Sequence, residues 1–458
     1  MRALLAAALI LIAPCSALAD PGLSPDLAAK VDTAVTEALA ASGTPAASIA
    51  VVRDGRVVYA HAYGQARRDP DVAATTAQRF AIGSVSKQFT VAAILLLAEE
   101  GKLSLDDTVG KWIPDLTDGD RITVRQILSH TAGYRDFWPQ DYVPAFMEKP
   151  ITADGIFDRW ARVPLDFQPG EAWQYSNTGF TIAARIVEKT AGQPFFTFLT
   201  SRVLKPLGLD AADIDASPLG PHDAAGYTRY ALGQPRPAPK EAPGWLMGAA
   251  QLALTPQDLA RWDIAMMEGR LLKPESWRTM QTSVRLNNGQ DARYGLGLTV
   301  TPDGSFRMVR HGGEVSGFLA ENRVWPDLGA AVVVLVNSDY GDPASIAQKI
   351  TALMPLSTQP TAVETAAAST FLAGLAKGHA DAGHLTPDGA AYFTPAVVAD
   401  YAASLGPLGP LTALKPLSRR LRGGFTEEIY LAAFGQKSLR VVARASEGKY
   451  EQFMAYPD

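Results

Sequence analysis

The chain has 458 residues, a formal net charge of −5 and no Lys/Arg cluster, which argues against nucleic acid as a partner. Its composition, 47% hydrophobic with a single cysteine, is that of a soluble globular protein of one large domain or two. One apolar run, at the start, stands out; no second run is long enough to span a bilayer.

Met1-Arg2 precedes the apolar stretch Ala3–Ala13, and Ala17-Leu-Ala19 precedes Asp20. A positive start, an apolar run too short to span a membrane and an Ala-x-Ala site make residues 1–19 a secretory signal peptide, so a periplasmic or secreted protein is expected. Cys15 would leave with it, and Pro14 beside it is a poor match to a lipoprotein signal. Residues 25–42 then read as an amphipathic helix, and two strand-like runs flank Asp54-Gly55, a strong hairpin signal. His61 falls within the second run and reads as structural.

The stretch Phe80-Ala-Ile-Gly-Ser84-Val-Ser-Lys87-Gln-Phe-Thr90 opens a helix that is apolar nearly all round and ends at Gly101. Such a helix belongs inside a domain. Ser84 and Lys87 are three apart, so hydroxyl and amine share a helix face. A serine at a helix start lies beside unpaired N–H groups that favour an oxyanion, and a partly desolvated lysine can lose its proton and activate the hydroxyl. Alone, the pattern is weak and is better read as an N-cap serine and a solvated lysine. Further on, Thr123–His130 is helical, and His130 reads as a helix-end residue satisfying nearby carbonyls.

Pro169-Gly170 marks a loop through Tyr175, Ser176 and Asn177 into a helix capped by Gly192. Tyr175 and Asn177 can both turn toward a cleft: the phenol passing protons if a neighbouring ammonium lowers its pKa, the amide holding the lysine and a substrate carbonyl. An aromatic core anchor with an N-cap asparagine fits the same residues. Trp138 and Trp245 read as core. After a well-punctuated helix from Thr255 to Gly269, four strand-like runs follow: Tyr294–Val300, Ser305–His311, Gly317–Trp325 and Ala330–Asn337. They predict an antiparallel meander, with a helix over 344–354 packed back on it. His311-Gly312-Gly313 falls after one strand and before the next, and His311 and Arg310 face opposite sides.

Past residue 355 the composition turns to Ser/Thr/Pro/Ala, a linker over 356–369. Residues 370–458 read as a small α+β module of two helices followed by strands, and His379 and His384 in its loops have no ligand-like partners. The predicted divisions are thus a 1–19 leader, a 20–355 main domain, the linker and a 370–458 accessory domain.

Taken in order, Ser84-x-x-Lys87, Tyr175-x-Asn177 and His311-Gly-Gly313 resemble the serine β-lactamase/penicillin-binding-protein family, specifically its class C β-lactamase-related branch of DD-peptidases, D-aminopeptidases and esterases. The resemblance covers about residues 30–350 and includes Leu128-Ser-His-Thr-Ala-Gly133 and Tyr294-Gly-Leu-Gly. It implies an α+β fold, an antiparallel sheet flanked by helices with an all-helical lobe; the C-terminal module is similar to cystatin-like domains appended to such enzymes. It further implies that Ser84 attacks an acyl carbonyl while Lys87 and Tyr175 share the proton transfers. The N–H groups of Ser84 and Glu314, the latter following Gly313, would hold the oxyanion, Asn177 would orient the substrate, and no metal or cofactor is needed. The chain departs from the family where lysine and a hydroxyl residue are usual, here His311 and Gly312. That moves weight from β-lactam hydrolysis or DD-carboxypeptidase activity toward esters and D-amino-acid amides or peptides. His311 would then greet a substrate carboxylate only while protonated; an unperturbed imidazole titrates near pH ~6.5, and a neighbouring Lys87 ammonium would push that lower. A binder of cell-wall peptide without turnover is the other class, and it has no use for an activated nucleophile. The substrate is a small molecule or peptide; the oligomeric state is not legible.

Overall fold

The computed structural model describes residues 22–303, 306–354, 359–422, 425–435 and 437–457. The expected leader, with Cys15, lies outside them. No helix of the described residues is long and apolar enough to cross a membrane.

The helix Pro25–Ser42 starts at a Ser24 side-chain cap, with Pro at its first position, and stops at Gly43, φ +73°. The hairpin that follows, Ala46–Arg53 and Arg56–Arg68, turns at Asp54-Gly55, both at positive φ as a two-residue hairpin turn requires. Its first strand is buried nearly throughout because it lies inside a seven-stranded antiparallel sheet, between its hairpin partner and the strand Ala330–Val336. Period-two alternation divides that strand between two cores. Ala47, Ile49 and Val51 pack with Val31, Val35 and Ile350 from the helices Pro25–Ser42 and Pro343–Leu353. Ala46, Ala50 and Val52 face the larger cluster that carries Phe89 and Trp262.

The predicted meander holds for Phe306–Val315, Phe318–Trp325 and Ala330–Val336, paired in sequence order. Two details differ. His311-Gly312-Gly313 lies inside the strand Phe306–Val315, not between strands. The run from Tyr294 is not a strand before Thr299. Its glycines explain why: a Cβ on Gly295 would stand 2.3 Å from the Met280 carbonyl oxygen, and Gly297, φ +66°, passes 3.2 Å from the Lys87 carbonyl oxygen on the same measure. The run is folded against the Lys87 helix instead.

That helix, Lys87–Glu99, is buried on every side from Lys87 to Leu97. Burial all round leaves polar Gln88 needing partners, and it has them: its Nε2 donates to Asn322 Oδ1 (3.0 Å) and its Oε1 accepts from Trp262 Nε1 (2.8 Å). Asn322 in turn donates to Asp263, whose carboxyl burial pushes well above the usual range. The helix is thereby tied to the sheet and to the helix Pro256–Met267.

The C-terminal part forms its own core from Phe371, Leu375, Tyr430, Val441 and Phe453, among others. Helices Ala362–Leu375 and Pro395–Leu405 pack with a four-stranded antiparallel sheet running from Leu411 to Pro457. The first helix begins inside the stretch read as linker. A Thr361–Glu364 capping box starts it and alanine, the strongest helix former, continues it; a composition read as loose is helical. Residues 356–358 of that stretch lie outside the described residues. The strand Leu411–Arg422 had no counterpart in the sequence reading. Arg419 bridges the two parts, donating to the Asp327 carbonyl oxygen (2.7 Å) and to Glu364 (3.0 Å).

Gln88→Ala should destabilise the protein by about 2–4 kcal/mol, because two buried partners lose their hydrogen bonds along with the packing. Equilibrium urea unfolding measures it; a loss below about 1 kcal/mol would show that the helix is held by apolar packing alone.

Candidate active site

Ser84 lies in a single 3-10 turn, Gly83–Ser86, that runs directly into the buried helix. The turn is fixed from behind. Ile82 N–H donates to the Leu252 carbonyl (3.0 Å), and Leu252 N–H donates to Ser86 Oγ (3.1 Å). In front it meets the strand that carries His311, at a contact only glycine allows. A Cβ on Gly83, φ +51°, would fall 2.4 Å from Glu314 N; a Cβ on Gly313 would fall 1.9 Å from the Ile82 carbonyl oxygen. The backbones of Ser84 and Glu314 are therefore brought side by side, as an oxyanion site built from their N–H groups needs. The Glu314 side chain is exposed, and its charge adds to the burial that keeps Tyr175 protonated.

Lys87 is fully buried, at 0% exposure. Its Nζ stands 2.9 Å from Ser84 Oγ, 2.7 Å from Asn177 Oδ1 and 3.0 Å from the Ala249 carbonyl oxygen. Burial lowers its pKa to about 7, against the pull of the Asp136 carboxylate, which favours the ammonium. Asp136 was not among the sequence candidates. It accepts from Asn177 N–H (3.0 Å) and Asn177 Nδ2 (3.0 Å), so the Asn177 amide is oriented between a carboxylate and the lysine. Burial raises the Asp136 pKa.

Tyr175 and Asn177 meet the lysine as expected, with Lys87 Nζ 4.8 Å from the Tyr175 ring centre. The expected lowering of the phenol's pKa does not occur. Burial raises it, the bond with Ser84 working the other way, so Tyr175 stays protonated. Lys87, not Tyr175, is the group poised to lose a proton near neutrality.

His311 does face the site and Arg310 does face away, toward Glu321 (2.9 Å). The expected lowering of His311 by Lys87 is present, but burial is the larger cause and carries it further. The ring is 5% exposed, and burial, then the Lys87 ammonium, push its pKa down to about 3. It is uncharged at neutral pH. Gly312 leaves room, since a Cβ there would meet nothing closer than 3.6 Å; the absent hydroxyl is not a steric consequence of the fold.

Two further residues escaped the sequence reading. His130 was expected to satisfy helix-end carbonyls. It does end the helix Val124–Leu128, in the left-handed conformation (φ +61°), but its ring turns inward and lies 4.3 Å from that of Tyr175, centre to centre, tilted by 37°. Tyr294, placed by the two glycines after it, sets its hydroxyl 3.2 Å from His130 Nε2 and 2.9 Å from His311 Nε2. Trp245 is core, as read, and Trp138 sits half-buried at the core's edge. Among the described residues no group of His, Cys, Asp or Glu is arranged to hold a metal ion.

The chain is similar to penicillin-binding protein 4* of Bacillus subtilis, 28% identical over 287 residues, 59% of this chain and 63% of that protein. It therefore spans a little under two thirds of that relative's length. It is similar to a D-aminopeptidase of Gluconobacter oxydans, 27% identical over 361 residues, 76% of this chain and 67% of that protein. Among solved structures, the octameric penicillin-binding protein homologue from Pyrococcus abyssi matches with a TM-score of 0.62 and 22% identity, covering 94% of this chain and 96% of that one. That likeness carries the fold, C-terminal sheet included. The family model described as Beta-lactamase matches residues 31–353, well over half of the chain, and the protein belongs to that family.

Proposed function

We propose that the protein is a serine acyl-hydrolase that cleaves esters, or amides and peptides containing a D-amino acid, through an acyl group on Ser84. The observation that carries this reading is the 2.9 Å contact between Ser84 Oγ and a fully buried lysine whose pKa is about 7. At neutral pH a large fraction of Lys87 is unprotonated and can take the Ser84 proton as Oγ attacks the carbonyl carbon. The carbonyl electron pair moves onto oxygen, facing the N–H groups of Ser84 and Glu314. Tyr175, protonated and bonded to Ser84, gives its proton to the leaving oxygen or nitrogen as that bond breaks, and is reprotonated from Lys87. Water then reverses the sequence on the acyl-serine, releasing the acid. Asn177 and Asp136 position the lysine.

The uncharged His311 leaves the site without the cation that a β-lactam or a C-terminal carboxylate would call on, which favours neutral substrates. The D-aminopeptidase among the relatives supports the D-amino-acid side of the reading. Export belongs to this reading and rests on the Met1–Asp20 sequence alone.

Purified protein should turn over a short nitrophenyl ester or a D-alanyl amide faster than a chromogenic cephalosporin. Ser84→Ala should lower every Ser84-dependent rate by several orders of magnitude while leaving the melting curve unchanged. Appreciable activity in Ser84→Ala would defeat the mechanism.

On a neutral ester, kcat/KM should fall about tenfold per pH unit below the Lys87 pKa of about 7 and level off above it, since only the free amine acts as base. Asp136→Asn removes the charge that holds that pKa up, so the acid limb should move to lower pH. A wild-type profile flat from about pH 5.5 to 8.5 would remove Lys87 from the role of base.

We also propose that residues 370–458 are accessory to the chemistry. Every residue named in the mechanism precedes Leu353, so a chain ending there should still be labelled at Ser84 by an acylating fluorophosphonate. A folded but unreactive product would place the C-terminal part in the site.

A further inference from the structure

We propose that Tyr294 is a specificity-determining positioning residue: its hydroxyl joins His130 to His311 in a one-directional, uncharged relay that leaves His311 no hydrogen to offer a substrate carboxylate. The inference rests on the acyl-hydrolase reading for its consequence, but its geometry stands apart from it.

The direction follows from the two ends, where donor and acceptor are not in question. At one end Ser176 N–H donates to His130 Nδ1 (3.1 Å), so that nitrogen carries a lone pair and no proton. The imidazole's one hydrogen is then on Nε2, pointing at the Tyr294 oxygen 3.2 Å away. At the other end His311 Nδ1 lies 2.5 Å from the Gly312 carbonyl oxygen. A carbonyl only accepts, so His311 Nδ1 carries the hydrogen. Between them the Tyr294 oxygen already receives His130, and its own O–H has one acceptor in reach, the His311 Nε2 lone pair at 2.9 Å. Reversing that bond would put two N–H groups on the phenol oxygen and leave its O–H without an acceptor among the described residues.

Every group facing His311 agrees. Tyr294 and Tyr175 present neutral phenols, His130 a neutral ring, and Lys87 when protonated disfavours a second charge, as does Arg310 from the opposite face of the strand. The relay also ties the two sides of the site together. It begins at Ser176, between Tyr175 and Asn177, and ends at Gly312, two residues before Glu314. The consequence is that His311 donates to backbone, accepts from Tyr294, and has nothing left for an anion.

The test uses the full chain labelled with 15N-histidine, of which there are six. Between about pH 5.5 and 8, one ring should be neutral with its hydrogen on Nδ1, the rarer form in water, and should vanish in His311→Gln. A second should be neutral with its hydrogen on Nε2 and vanish in His130→Gln. In Tyr294→Phe the His311 hydrogen should stay on Nδ1, held by the Gly312 carbonyl, while its Nε2 resonance moves to that of a nitrogen accepting no hydrogen bond. The kinetic arm compares phenyl acetate with 3-carboxyphenyl acetate, whose carboxylate rides on the leaving group. Their kcat/KM ratio should stay constant within about twofold over that range, and His311→Lys should shift it toward the anion by on the order of tenfold. A His311 that titrates in this range, or carries its hydrogen on Nε2, overturns the relay even if every variant is inactive. Loss of all Ser84-dependent hydrolysis with the ring forms as stated would sink the acyl-hydrolase reading and leave the relay standing.

Discussion

The site depends on keeping one lysine dry. Lys87 lies at the head of a helix buried on every side, and three acceptors surround its Nζ: Ser84 Oγ, Asn177 Oδ1 and the Ala249 carbonyl. An ammonium there has lost its water and regained only part of that solvation, which is why its pKa falls to about 7. Most of the architecture maintains this condition. The Gln88–Trp262–Asn322 bonds let a helix with polar residues sit in the core, and the segment through Ala249 and Leu252 closes over it from behind. Loosening any of these would admit water and return the lysine to an ordinary, protonated state.

The second constraint is backbone approach. Ser84 and Glu314 come from segments more than 200 residues apart, yet those segments meet backbone to backbone because Gly83 presents no Cβ to Glu314 and Gly313 none to Ile82. A methyl at either position would have to displace backbone, not a flexible side chain, so both segments would shift together with the N–H groups they carry. Loss of oxyanion donors costs more than most lost contacts, because the charge they meet exists only in the transition state.

How much of this was legible in the sequence follows from what each residue does. Ser84, Lys87 and Tyr175 could be read because the chemistry needs those residue types, two of them at a fixed helical spacing. The hairpin at Asp54-Gly55 was equally plain, since the turn requires positive φ at both positions. Asp136 acts through Asn177, 41 positions on, and nothing local in Tyr134-Arg-Asp136-Phe marks it. His130 looked like a helix end and is one; only the fold reveals that its ring goes to Ser176 and Tyr294. Tyr294 was hidden inside an apparent strand that two close-packed glycines prevent from forming. The helix at Ala362 was missed for another reason, a capping box concealed in a composition that resembles a linker.

The exchange of a lysine for His311 bears on Lys87 as well as on the substrate. A second ammonium in the same dry pocket would repel the first and lower its pKa by Coulomb interaction, in addition to burial. A neutral imidazole adds no such push, so in this chain burial alone brings Lys87 down, and Asp136 works against it. The two effects differ in what they ask of the protein. Repulsion works even in a partly wet site, whereas burial requires that bulk water stay away from Lys87 Nζ even while one water reaches the acyl-serine. The neutral ring also costs less to bury than an ammonium, and it occupies its polar atoms internally, Nδ1–H on Gly312 and Nε2 on Tyr294. A site of this kind exchanges anion recognition for dryness, and dryness is what makes its nucleophile's base.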